Sequence, residues 1–438
     1  QLTSMRNALI LLLLLGLASI PGSLFPQRTQ SPLKVREYFE SDPNVAKWMD
    51  RFYLFDVYGS PWFSAIYILL FVSLIGCVVP RSWNYAKESI AKPAPAPKTL
   101  TKFEYHQEFA SYLDKAEAWL RKNRFRITRG KDFISAEKGY LRETGNLLFH
   151  LSLILILLGI SFSSLFGVRG DAIVNIGERF TNTPTSYDSI NFGKLTNPSD
   201  LPPFLIKPTN FIAKYNPSTN QPLDYTLTVL TAPKPESKAI EKIIKVNSPL
   251  KYGDTSIYLQ ANGYSPMVII RDLKGKTTFE GAVPFLPQDG NLTSTGAIKL
   301  PDMNPQIGIV ATFTPTYSMS GKRGAFSSYP EALDPRLVFS VWQGNLGLDS
   351  GIPQSVYRVD TSKMVRLGLK SLKIGESYNF NSGSITFVGW KPWVNIEVGR
   401  DPGKDFALLG AILAILGLLI SLTLKERDLY TSESNDSN

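Results

Sequence analysis

Four stretches of this 438-residue chain are apolar over membrane length and carry no acid, lysine or arginine: roughly Ala8 to Phe25, Trp62 to Val79, Gly145 to Phe166 and Phe406 to Leu424. Each holds about 18 to 22 residues, which at about 1.5 Å per residue crosses a hydrocarbon core about 30 Å thick. All four are predicted as helices. The mean hydropathy is near zero, but only because the polar residues are concentrated between these runs.

The segment between the second and third runs sets orientation. Pro80 to Arg142 carries Arg121, Lys122, Arg124, Arg126, Arg129 and Lys131 close to the third run, and the positive-inside rule makes it cytoplasmic. Counting outward gives transmembrane helix 1 within 1–25, an outer loop with short surface helices at 26–61 and transmembrane helix 2 at 62–79. A cytoplasmic linker with a small α+β patch follows at 80–143, then transmembrane helix 3 at 144–166 and an extracytoplasmic β-rich domain at 167–405. Transmembrane helix 4 at 406–424 and a cytoplasmic tail at 425–438 complete the chain. The expected fold class is therefore a polytopic α-helical membrane protein with four transmembrane helices and a large extracytoplasmic, mainly-β domain, placed in a bacterial plasma membrane with both termini cytoplasmic. A signal peptide cut near Ala18-Ser19-Ile20-Pro21 is the alternative for the first run. The chain opens on Gln1 rather than Met, so a preceding piece with positive charges is expected. The net charge of +10 is spread over both sides and interleaved with acids. Topology and anionic lipid headgroups account for it, and nucleic acid is not an expected partner.

Local patterns fill in the segments. Ser31-Pro32 and Asp42-Pro43 each start a short helix with one apolar face, and Trp48, Tyr53, Tyr58, Trp62 and Phe63 suit an interfacial aromatic belt or, alternatively, a flat cofactor. A helix from near Ser111 to Lys122 and strands at Phe125 to Thr128 and Phe133 to Ala136 make the cytoplasmic patch. Period-two runs at Asp224 to Leu230, Thr255 to Gln260, Gly308 to Phe313 and Ser384 to Trp390 predict antiparallel sheet in a sandwich. Thr181 to Asp200 and Gln288 to Gly296 read as loops. The large domain has no histidine and no cysteine, so a histidine triad, a thiol nucleophile, a disulfide and a thiolate metal site are excluded there. No catalytic residue is assigned. The single Cys77 lies in the second run and reads as a small buried hydrophobe.

One residue breaks the apolar pattern. His150 sits in the third run, about 8 Å into the span, where hydrocarbon offers its ring nitrogens nothing, so it needs a partner, a cavity or a metal. Gly145, Ser152 and Gly159 recur every seven positions and share a face suited to close helix packing. His150 lies about 200° around the helix from Ser152 and shares a stripe with Asn146, Ile154 and Leu157. Asn146 is placed to hydrogen-bond one imidazole nitrogen and leave the other for a metal. The alternative, that the two residues merely satisfy each other, stays open at this point. The other histidine, His106, sits between Glu104 and Glu108 and reads as a solvated surface residue.

Several strings together resemble a known family. They are Pro21-Gly22-Ser23-Leu24-Phe25-Pro26-Gln27, Phe55-Asp56-Val57-Tyr58-Gly59-Ser60-Pro61-Trp62-Phe63, Gly76-Cys77-Val78-Val79-Pro80-Arg81, Ala136-Glu137-Lys138-Gly139, Gly145 to His150, Val246-Asn247-Ser248-Pro249-Leu250 and Asp401-Pro402-Gly403. The chain resembles the ResB (CcsB) family of system II cytochrome c biogenesis over essentially its whole length. The resemblance implies a non-catalytic subunit of a haem-attachment complex that works with a ResC/CcsA-type membrane subunit. It implies that haem b is moved outward and presented to apocytochrome c, with a thioredoxin-like reductant of the apocytochrome thiols and membrane lipids as further partners. His150 would be an axial ligand to haem iron and Asn146 its supporting neighbour. The alternatives are an assembly scaffold that does not bind haem, and a membrane-tethered β-sandwich receptor.

Overall fold

The computed structural model describes residues 4–28, 31–96, 113–139, 141–348, 357–424 and 427–432. The chain divides into two compact units, residues 165–401 and the remainder.

The first unit is built on four helices long and apolar enough to cross a membrane: α1 (Met5–Leu24), α4 (Pro61–Ile90), α6 (Leu141–Phe166) and α7 (Lys404–Thr423). Helix α4 runs on past Val79 through Pro80 to Ile90, so the helix outlasts its apolar stretch. Beyond the hydrocarbon the polar last turns are solvated, and nothing requires the helix to stop there. The loop between α1 and α4 folds as α2 (Pro32–Ser41) and α3 (Pro43–Arg51). Asp42 ends α2 and caps α3, accepting from the Val45 N–H at 3.2 Å. Val35, Ala46, Met49 and Phe55 form a small core beneath them. Gln27 is buried; its amide donates to the carbonyls of Phe25 (3.0 Å) and Leu54 (3.1 Å) and its oxygen accepts from Val57 N–H (3.0 Å). Three hydrogen bonds from this one side chain thus pin the loop into a folded cap.

The small α+β patch forms as predicted, with α5 (Leu113–Lys122), β1 (Arg126–Arg129) and β2 (Phe133–Lys138) packed on Leu113, Leu120, Ile134 and Ala136. One element was not legible: the tail supplies a third strand, Arg427–Ser432, antiparallel to β2 with Lys138 opposite Arg427. The segment before α6 and the segment after α7 therefore lie at the same end of the helix pair. Four spans require that parity. The predicted residues His106 and Ser111 fall outside the described residues.

The second unit is all antiparallel. Its seven-stranded sheet contains β3 (Val168–Asn175), β5 (Ser189–Phe192), β9 (Leu250–Tyr252), β10 (Thr255–Asp272), β11 (Thr277–Ala282), β19 (Ser377–Phe380) and β20 (Gly383–Arg400). A four-stranded sheet is made of β4 (Phe180–Thr181), β6 (Leu205–Tyr215), β7 (Pro222–Ala232) and β8 (Ile240–Lys245). A five-stranded sheet holds β12 (Leu286–Pro287), β13 (Ser294–Leu300), β14 (Ile307–Thr314), β17 (Arg336–Gln343) and β18 (Val365–Lys373), and a hairpin of β15 (Tyr317–Ser320) and β16 (Gly324–Ser327) stands beside it; the tail strand is β21.

The expected single sandwich is two. The paired strands β10 and β20 run the length of both, from Thr255 opposite Arg400 to Asp272 opposite Gly383. At one end Ile257, Leu259, Val394, Ile396 and Val398 meet Ile206, Leu227, Val229 and Ile244 of the four-stranded sheet. At the other end Val268, Ile270, Ile385 and Phe387 meet Ile309, Phe313, Leu337 and Phe339 of the five-stranded sheet. The ladder shifts register at Leu259/Ala261 and at Met267/Val268. Each bulge adds one residue, which changes the sequence parity that faces the core.

Two segments expected as loops also contain structure. Thr181 to Asp200 includes β5 and the buried Asn182, whose amide donates to Pro202 O at 2.8 Å. Gln288 to Gly296 runs into β13, with Ser294 fully buried. Their polarity misled because it is satisfied internally: Asp289 Oδ1 alone accepts from the N–H groups of Asn291 and Thr293, both at 3.0 Å.

Candidate functional site

The site begins with the α6–α7 pair that carries His150. The seven-residue row Gly145, Ser152, Gly159 of α6 meets a second seven-residue row, Gly417, Gly410 and Gly403, at the start and along the length of α7. A methyl added at Gly145 would lie 2.6 Å from Ser421 N and 2.7 Å from Gly417 O, and one at Gly159 would lie 2.7 Å from Gly403 O. At Gly410 it would meet Ile156 Cγ1 at 2.7 Å and Ser152 O at 3.0 Å. Backbone rests on backbone along the whole seam, which is how helices gain dispersion energy in lipid without a hydrophobic driving force. Only the α6 half of this seam was singled out from sequence. The α7 half has the same seven-residue spacing and was there to be read.

A second helix touches α6 nearer its end. Tyr67 of α4 donates its hydroxyl to Leu157 O at 2.8 Å and lies 3.1 Å from Ser161 Oγ. Leu157 belongs to the stripe that His150 occupies, so α4 and α7 approach α6 from different sides.

His150 itself is half-buried. Its Nδ1 lies 2.8 Å from the backbone carbonyl of Asn146. The expected contact with Asn146 thus exists, but through the main chain one turn back and not through the side-chain amide. The carbonyl can only accept, so Nδ1 carries the proton of this hydrogen bond, and a lone pair for a metal can come only from Nε2. No hydrogen bond among the described residues reaches Nε2. The ring is also met edge-on by Phe149, with centroids 5.3 Å apart and planes at 89°. Just above, Ser152 Oγ turns back to donate to Phe149 O at 2.6 Å, which engages that hydroxyl within its own helix.

This arrangement can do one thing chemically: offer a single ring nitrogen, Nε2, from a helix. No group of three or more His, Cys, Asp or Glu side chains able to hold a metal is present among the described residues, so His150 stands there as a single candidate donor. The aromatic group of the loop is arranged differently. Trp48 and Phe52 stack at 5.8 Å and 16°, both more than half exposed, beside an open apolar groove of about 330 Å³ lined by Asn44, Val45, Trp48, Met49, Phe52 and Leu54.

Comparison with known proteins adds to this geometry. A cytochrome c biogenesis protein CcsB of Gloeobacter violaceus is 26% identical over 412 residues, covering 85% of this chain and 82% of the relative. A CcsB of Synechococcus elongatus is 25% identical over 71% of this chain and 68% of its own length. A CcsB of Thermosynechococcus vestitus is 22% identical over 96% of this chain and 86% of its own. The ResB-like family matches residues 5–436, which takes in all four membrane helices, both β sandwiches and the tail strand: the chain is a membrane protein that belongs to the ResB-like family.

Proposed function

We propose that this protein works in cytochrome c maturation, and that with a CcsA-type membrane subunit it hands haem b to apocytochrome c for covalent attachment. The observation that carries the reading is His150: a histidine inside a membrane helix whose Nδ1 proton is committed to Asn146 O, leaving Nε2 as a free donor. Imidazole is a good ligand to haem iron, and a helix in a low-dielectric setting fixes its direction. The chain's only other histidine is His106, on the segment between α4 and α6, so a bis-histidine site at His150 takes its second ligand from the partner subunit.

The same residues limit what this chain contributes. With one cysteine, in α4, it has no dithiol to keep apocytochrome thiols reduced, so a separate thioredoxin-like reductant is part of the proposal. Its own role is to bind and orient haem and not to form the thioether bonds. The orientation follows the positive-inside rule, with the basic α5–β1–β2–β21 patch in the cytoplasm and the two-sandwich unit outside. Anionic lipid headgroups then face that basic patch.

The test is the absorbance spectrum of the complex co-purified with its CcsA-type partner. The His150→Ala complex is expected to lose most of its haem and to recover it when imidazole is added to fill the vacated position. Unchanged haem content together with unchanged cytochrome c yield would reduce the chain to a scaffold for a haem site owned by the partner.

A further inference from the structure

The turn of α6 that leads into His150 is met by a glycine of the neighbouring helix. A methyl built on Gly417 of α7 would lie 2.6 Å from Phe149 N, 3.1 Å from Phe149 Cα and 2.6 Å from Gly145 O. These are backbone atoms, so no rotamer change relieves the contact. Gly145 and Phe149 flank the two residues that define the imidazole: Asn146, whose carbonyl holds Nδ1, and His150 itself. Phe149 in addition presents its ring edge to the imidazole.

We propose that Gly417 is a positioning residue for His150, holding the 145–150 turn of α6 against α7 so that Nε2 is presented at a fixed height and angle; this rests on His150 being a haem ligand. The physical argument is one of tolerance. Restoring an ordinary contact of 3.4 Å around a methyl at 417 moves the turn by about 0.8 Å, and ligating groups must be held within about 0.5 Å of their productive position. The other two seam glycines of α7 do not act at this place. Gly410 is nearest to the Ile156 side chain, and Gly403 faces Gly159, farther along α6 from His150.

The experiment uses the full complex with its CcsA-type partner and reads haem per mole of monodisperse complex, the position of the main haem absorbance band, and the response to added imidazole. Gly417→Ala is expected to assemble, to retain several-fold less haem, to shift the band and to be restored by imidazole, because the iron position is intact and only its protein ligand is misplaced. Gly410→Ala is expected to remain close to wild type in all three. Equal losses in Gly410→Ala and Gly417→Ala would assign the effect to helix packing in general and overturn the proposal. A wild-type spectrum and imidazole response in Gly417→Ala would overturn it too, while loss of haem in His150→Ala would leave ligation standing. Haem retained in His150→Ala would remove ligation and positioning together. Should Gly417→Ala fail to yield complex, Gly145→Ala crowds the same contact from α6, where its methyl would lie 2.7 Å from Gly417 O: a shifted band restored by imidazole supports the assignment, and a wild-type spectrum overturns it.

Discussion

The same two stretches of chain pair twice, and by opposite means. As helices, α6 and α7 meet through what is missing: Gly145, Gly159, Gly403, Gly410 and Gly417 have no side chain, and backbone touches backbone. As strands, β3 and β20 meet through a ladder from Val168 opposite Arg400 to Asn175 opposite Trp393, backed by buried Ala172, Val174, Val394, Ile396 and Val398. In water, burying apolar side chains drives the association. In lipid the surroundings are as apolar as leucine, so close approach has to supply the energy. The helix pair should therefore be weakened when bulky side chains are added, and the sheets when atoms are removed.

That contrast is open to direct attack. The largest effect is expected from Gly403→Leu, which drives a branched side chain into Gly159 O and Ser163; folded protein should largely vanish from size-exclusion profiles in detergent. The matching change Gly16→Leu on α1, where nothing lies within 4 Å, should be recovered at wild-type yield. Equal behaviour of the two would show that the seam does not hold the helices. Next in size is Phe387→Ala in the β unit, fully buried between sheets, expected to cost about 3–5 kcal/mol in denaturant titration. A loss under about 1 kcal/mol would mean that this core relaxes as a fluid one would, against its close packing.

Smaller effects probe the edges of each unit. Ending the chain before Arg427 removes β21 and uncovers the outer edge of β2. The expected loss is about 1–2 kcal/mol, a few net hydrogen bonds, seen as faster proteolysis within residues 126–138. An unchanged cleavage rate would show the strand to be dispensable. The smallest effect is electrostatic. Burial raises the Asp188 carboxyl above its ordinary value, opposed by the Ile173 N–H it accepts at 2.7 Å. Its folded form thus holds the proton more tightly than the unfolded chain, so ionised Asp188 costs stability, and the cost grows as pH rises from the unfolded value through the raised one. Asp188→Asn should raise the melting temperature by about 1–2 °C at pH 7 and give no gain below pH ~4, the unfolded range for Asp. A gain that is the same at both pH values would rule out the charge as its cause.

Legibility followed the same divide. The four spans, the α5–β1–β2 patch, His150 and the α6 glycine face could be read from composition, charge and local spacing. Strands β10 and β20 were seen only in part, as Thr255 to Gln260 and Ser384 to Trp390. The bulges at Leu259/Ala261 and Met267/Val268 switch the parity of the core face, so the alternation breaks off halfway along a continuous strand. β21 escaped because a short charged strand has no pattern of its own, and its apolar partners Ile134 and Ala136 lie far earlier in the chain. The Asn146 contact was expected from the right residue but from its side chain. Helical geometry places the main-chain carbonyl at i−4 within reach of Nδ1, and the amide is not needed.

What the amino-acid order determined by itself is everything that depends on a single segment meeting its solvent. Apolar length makes a span, and a histidine in hydrocarbon demands a partner, because each of these free energies is local. What only the tertiary structure decided is which surfaces meet. It sets Gly417 against the backbone of Phe149, closes two sandwiches on one shared ladder, and returns the tail to β2. Those pairings join residues far apart in the chain, and shape complementarity between them has no local signature.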